Sequence, residues 1–164
     1  MTTVTTPHVR AATLADLPAV ERLLAESSLP LDGVREAFST FVVAQSGDDI
    51  VGVAGMEQAG PDALLRSVAV HPDWRSHGVG RALVTRVISD AESRGLRALY
   101  LLTTTAERWF PGFGFHAVTR DAVPPGLRGT AEFAGACPAS ATVMCRECES
   151  PGGVTSVDPS ASLK

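Results

Sequence analysis

The sequence predicts an α/β domain whose mixed, mostly antiparallel sheet is flanked by helices. Three observations carry this expectation. β-Branched runs separated by polar turns fill residues 40–70, a glycine-rich loop at 75–80 leads into a segment of helical periodicity, and an apolar run at 98–102 closes a strand–helix–strand unit. A chain of 164 residues suits one domain. We expect that domain over residues 1–148, with a loose tail at 149–164 where Ser, Pro and Gly dominate and apolar periodicity stops.

The elements follow in order. Residues 9–12 fit a short strand, and Thr13 followed three residues later by Asp16 has capping-box spacing. Leu17, Val20 and Leu24 then recur at helical spacing through Glu26, and Pro30 ends the segment. Residues 31–38 read as a short helix or ordered loop. The runs 40–45 and 50–56 flank the turn Ser46-Gly47-Asp48-Asp49 and predict a hairpin, and Gly60-Pro61-Asp62 turns the chain into a third antiparallel strand at 64–70. Val79, Ala82, Leu83, Val87 and Ile88 mark a helix ending near Gly95. The continuous apolar run 98–102 predicts a buried strand parallel to its predecessor across that helix. Residues 105–110 suggest a short helix, 115–118 a strand, and 141–145 a last strand after a Pro-rich stretch.

A net charge of −4 argues against a general nucleic-acid binder, so any anion site must be local. No apolar stretch approaches the ~20 residues of a membrane span, and the polar start lacks a secretory pattern, so a cytoplasmic protein without a membrane partner is expected. Cys137, Cys145 and Cys148 are expected as reduced thiols. Cys145 and Cys148 form a CxxC with neither a second pair nor a spaced His, a weak basis for zinc or redox chemistry, and no metal is expected.

The most informative stretch is Arg75-Ser76-His77-Gly78-Val79-Gly80-Arg81. Unpaired amides at a helix start, the positive helix end and glycines that admit close approach together suit a pyrophosphate. Alone, the pattern also fits a tight loop before a helix. A P-loop would need the missing Gly-Lys-Ser/Thr, and a dinucleotide fingerprint needs three spaced glycines where two occur.

Val68-Ala69-Val70-His71-Pro72 followed by Arg75-x-x-Gly78-x-Gly80, and later Ala106-x-x-Trp109-Phe110-x-x-x-Gly114-Phe115, resemble the motifs of the GCN5-related N-acetyltransferases, the GNAT superfamily. The resemblance runs over residues 9–146. It implies a splayed sheet, acetyl-CoA as cosubstrate, and a pantetheine arm lying between the strands that end at Val70 and Leu102. Val68, Ala69 and Val70 would meet that arm as an added strand does. The amides of Arg75, Ser76, His77, Gly78, Val79, Gly80 and Arg81 would take the pyrophosphate, and an N–H near Val70 would polarise the thioester carbonyl. At Thr103 many relatives carry an asparagine that contacts the cofactor amide, so a hydroxyl is expected to substitute.

Acyl transfer to an amine needs a base, and Glu57 is the first candidate, against the plainer reading of an exposed strand-end carboxylate. Many relatives hold a thiolate-protonating tyrosine where this chain has Phe110, so that role is vacant. Tyr100, in a buried strand, reads as packing. Arg66 and Ser67 fall where similar amino-acid acetyltransferases hold the acceptor. Arg66 is expected either to grip a carboxylate or to be a solvated strand arginine. His8 and His116 read as surface residues.

Leu31-Asp32-Gly33, the run 102–106, and Glu132-Phe133-x-x-x-Cys137-Pro138-x-Ser140-Ala141 resemble the arsenic-resistance-associated ArsN-type acetyltransferases. This resemblance brings Asp32, Glu132, Cys137 and Ser140 to the acceptor pocket; Glu132 and Ser140 equally suit hydrogen bonds that fix the loop, and Cys137 reads more plainly as a small buried residue beside Pro138. It implies a small amino-acid-like amine as acceptor, with arsenical and phosphinic analogues among the candidates. Two other readings stay open: an acyl-CoA-binding module without turnover, prompted by Phe110, and an acetyltransferase acting on protein lysines or N-termini. The sequence leaves monomer and homodimer equally open.

Overall fold

A computed structural model describes residues 7–130 and 140–148. Seven strands form one sheet in the order β1-β2-β3-β4-β5-β7-β6. They are β1 His8–Ala11, β2 Val42–Ser46, β3 Asp49–Ala59, β4 Asp62–Val70, β5 Ala98–Thr103, β6 His116–Val118 and β7 Thr142–Glu147. Every neighbouring pair is antiparallel except β4 with β5. The α/β expectation and the three-strand antiparallel run are therefore met. The placing of the last strand between β5 and β6 is new.

Helix α3, Val79–Ser93, covers one face through Leu83, Val84, Val87 and Ile88. Val84 takes the buried place expected of Ala82, which is exposed. On the other face, α1 Leu17–Glu26 and α2 Val34–Ala37 bury Val20, Leu23, Leu24 and Val34 against Phe41, Val43 and Val53. Beside them α4, Pro125–Arg128, packs Leu127 and the nearby Val123 on Leu64 and Val143. Among the described residues no helix is long and apolar enough to cross a membrane.

Two glycines of β3 set how closely the layers approach. A Cβ on Gly52 would stand 2.8 Å from Leu83 and 3.0 Å from Val79, so its absence lets the start of α3 press onto the sheet. On the opposite face a Cβ on Gly55 would stand 2.2 Å from the Phe41 ring, which is itself buried beside Phe38. The predicted Thr13–Asp16 box is present: Asp16 accepts the Thr13 N–H at 2.8 Å. Arg10 grips the same carboxylate at 2.8 and 3.0 Å and reaches Gln45 at 2.8 Å, joining β1, the start of α1 and β2. The hydrogen bond from Arg10 holds the Asp16 carboxyl down at about 2.

The helix expected at 105–110 does not form. Thr103 Oγ1 accepts the N–H groups of Thr105 and Ala106 at 3.3 and 3.0 Å, as a helix cap would, but Pro111 has no N–H to bond back to residue 107 and the segment stays a series of turns. A 3-10 turn follows instead at Phe110–Phe113. Residues 31–38 divide into a loop and the one-turn α2.

Gly55→Ala should lower stability by about 1–3 kcal/mol through overpacking, while Gly126→Ala, whose Cβ meets only ordinary contacts, should change it little; urea unfolding of both checks this. Asp16 has a folded pKa below its unfolded value of 3.8, so its contribution is complete above that value and is lost as pH falls towards 2. The stability gap between the native protein and Asp16→Asn should therefore close by roughly 2 kcal/mol between about pH 5 and about pH 2.

Candidate functional site at the splay of the sheet

β4 and β5 pair over three residues only, Asp62, Ala63 and Leu64 against Ala98, Leu99 and Tyr100. Beyond Leu64 the strands separate, as the resemblance implied. A bulge helps to turn β4 away: Arg66 lies opposite Gly55 and Ala69 opposite Val53, so Ala54 alone faces Ser67 and Val68. Ser67 takes the left-handed conformation, φ 61°, within this bulge. At the closed end, buried Asp62 accepts from Arg97 at 2.6 and 3.1 Å, fastening the strands where they still pair.

The glycine loop stands at the open end. After the 3-10 turn Pro72–Trp74, Ser76 and Gly78 adopt φ 68° and 80°, and the first bond of α3 runs from Ala82 N–H to the Gly78 carbonyl at 3.0 Å. The amides of Val79, Gly80 and Arg81 thus have no intrahelical acceptor. A cavity of 670 Å³ opens here, lined by Val68, Ala69, Val70, Arg75, Ser76, Gly78, Val79, Gly80 and Arg81 among others. Every expected loop residue borders it except His77, whose Nδ1 lies 2.8 Å from the Arg75 carbonyl oxygen and whose ring meets Trp74 edge-on. The two cations are tethered at the rim, Arg75 by its Nε bond to the Val70 carbonyl at 3.2 Å and Arg81 over the Phe113 ring at 5.3 Å.

A second cavity, 640 Å³, lies between the separated parts of β4 and β5. Asp32, Arg66, Ser67 and Thr103 line it, together with Ser28, Leu29 and Pro30 of the loop after α1. The two cavities share Leu29, Val68, Thr105, Ala106 and Trp109, so they meet at a common rim. Thr103 borders only the second. Its oxygen is taken up by two backbone N–H groups, which directs its own proton elsewhere.

Arg66 is fully buried, not a solvated strand residue. Its Nη1 pairs with Glu57 Oε1 at 3.0 Å and its Nε donates to Ser67 Oγ at 3.1 Å. Glu57 sits inside β3, opposite Leu64, with its side chain 23% exposed and outside the lining of the second cavity. The picture of an exposed strand-end carboxylate is thereby corrected: β3 runs on to Ala59, and Glu57 is an ion-pair partner of the cavity's arginine.

Ser140 is exposed and does not border the cavity, although its neighbour Ala141 does. Glu132 and Cys137 lie outside the described residues, as does the tail at 149–164. Phe110 borders the second cavity and packs against Trp109, Phe113 and Phe115. Tyr100 borders neither cavity. Burial pushes its phenol up to about 12, and it packs beside Leu64 and Val143. Cys145 stands across from Tyr100, whereas Cys148 packs on the α3-face core, and burial pushes both thiols up. The loop residue Leu29 carries no chemistry that the sequence marks, Pro30 reads there only as the end of a helix, and Trp109 only as part of a motif.

The acetyltransferase (GNAT) domain family matches residues 37–117. The amino-acid acetyltransferase of Escherichia coli K12 is 29% identical over 126 residues, covering 71% of this chain and 28% of its own length. The chain thus spans under a third of that relative. Among solved structures, the N-acetylglutamate synthase of Neisseria gonorrhoeae, complexed with coenzyme A and N-acetyl-glutamate, superposes with a TM-score of 0.76 at 21% identity over 90% of this chain and 36% of its own. At that identity the likeness is one of fold. Rv2747 of Mycobacterium tuberculosis, solved with CoA, gives a TM-score of 0.74 at 25% identity over 86% of this chain and 99% of its own. The family match begins at the end of α2, takes in both strands of the splay with the loop and helix between them, and ends in β6, so the splay and the glycine loop lie within the part of the chain that matches the GNAT acetyltransferase domain.

Proposed function

We propose that this chain transfers acetyl from acetyl-CoA to the amino group of a small amino-acid-like acceptor. The observation that carries the reading is the meeting of two cavities at one rim, the first bordered by unpaired helix-start amides and the second by a buried arginine. In this reading the amides of Val79, Gly80 and Arg81 take the pyrophosphate of the cosubstrate. The arm then follows the unpaired edge of β4 past Val68 and Val70, and the outward proton of Thr103 serves a carbonyl of the arm. Arg66 holds a carboxylate of the acceptor, with Ser67 and Asp32 completing the polar side. The amino-acid acetyltransferase and N-acetylglutamate synthase relatives support an acceptor of this kind.

The acceptor nitrogen attacks the thioester carbon, the C–N bond forms, and the C–S bond breaks with its electron pair passing to sulfur. Glu57 is the proposed base. Because it stands behind Arg66, the amine proton reaches it through water. Phe110 has no proton to give, so the departing thiolate is protonated by solvent.

The test is acetyl-CoA consumption with mass detection of product, across free amino acids, their arsenical and phosphinic analogues, and a lysine peptide. Acetylation of a free amino acid or one of its analogues is expected. Acetylation of the peptide alone, or CoA binding with no product from any acceptor, would overturn the reading. Glu57→Gln should lower kcat by about 100-fold while leaving the CoA Kd within about threefold; unchanged turnover removes Glu57 as the base. Gly78→Val should weaken CoA binding by about tenfold or more, because a β-branched residue is strained at φ 80° and position 78 borders the first cavity, so both the loop conformation and the space beside it change. Calorimetric titration with CoA reads this directly.

A further inference from the structure

The second cavity has two chemically different sides. Strand alternation sends Arg66 to one face of the sheet and Leu65 to the other. Leu65, Leu101 and Phe110 all border the cavity, yet all belong to the α3-face core and are 2%, 2% and 7% exposed. They therefore form a closed apolar corner, not an open channel. Phe110 packs among the rings of Trp109, Phe113 and Phe115 at 5.0, 6.5 and 5.7 Å, so three rings brace it where it borders the cavity.

The charged groups of a zwitterionic acceptor seek the side that carries Arg66 and Ser67, not this corner. An acyl group entering from the rim at Val68 and Trp109 does have use for it: a methyl group needs apolar contact and no hydrogen bond. We infer that Leu65, Leu101 and Phe110 form the acyl seat and that its rigid end wall, Phe110, restricts the donor to short acyl-CoA thioesters. This rests on the reading of the two cavities given above. It adds selection of the donor's acyl length, a property distinct from acceptor choice.

The experiment compares the Kd values of CoA, acetyl-CoA and butyryl-CoA by calorimetry, and so requires no known acceptor. The native protein should bind butyryl-CoA at least about tenfold more weakly than acetyl-CoA. Shortening the wall in Phe110→Leu should bring that ratio to within about threefold. Leu65→Val, a smaller change in the same corner, provides a second variant if Phe110→Leu fails to fold, and should move the ratio in the same direction. A native ratio near one, or a ratio unmoved in every folded variant, overturns the inference while leaving the transferase reading intact. Absence of CoA binding to the native protein overturns both.

Discussion

Three residue pairs between β4 and β5 govern everything else in the molecule. With fuller pairing the sheet would close and neither cavity would exist; with none, the two halves of the sheet would have no common frame. The Asp62–Arg97 pair fastens the closed end, and the bulge at Ser67 bends β4 away above it. Helix α3 is fixed to the same frame through the notch at Gly52, which brings its free amides to the open end. The anion cradle and the divergence of the strands are thus one construction.

The bulge has an energetic side. A serine with positive φ is strained, and a fully buried guanidinium is costly unless it is paired. The two meet at adjacent positions. Arg66 donates to the Ser67 hydroxyl and pairs with Glu57, so the partners that make the buried charge tolerable also hold its side chain in one orientation beside the cavity. Such concentration of strain and buried charge is typical of a working site and has no evident value to packing alone.

Much of this was legible from local pattern. Turn residues at 46–49 and 60–62 located the hairpins, helical periodicity located α3, and the glycines before α3 marked its start, where Gly78 takes a left-handed conformation. Non-local facts were not legible. Nothing in the run 141–145 says that it will insert between β5 and β6, because pairing partners are chosen by the whole sheet. The predicted helix at 105–110 forms only turns, because Pro111 cannot supply the N–H that would carry it on. Arg66 was readable as either solvated or functional, since one strand residue carries no mark of how deeply its neighbours will cover it. Leu29 and Pro30 are ordinary loop residues until the fold brings them against the splay.

Trp74 and Trp109 are the chain's two tryptophans, and both border the cavity beside α3. One stands beside the glycine loop and the other at the rim where the cavities meet. The indole fluorescence of this protein therefore originates entirely from the walls of a single pocket, and the molecule carries its own optical reporter of what enters there.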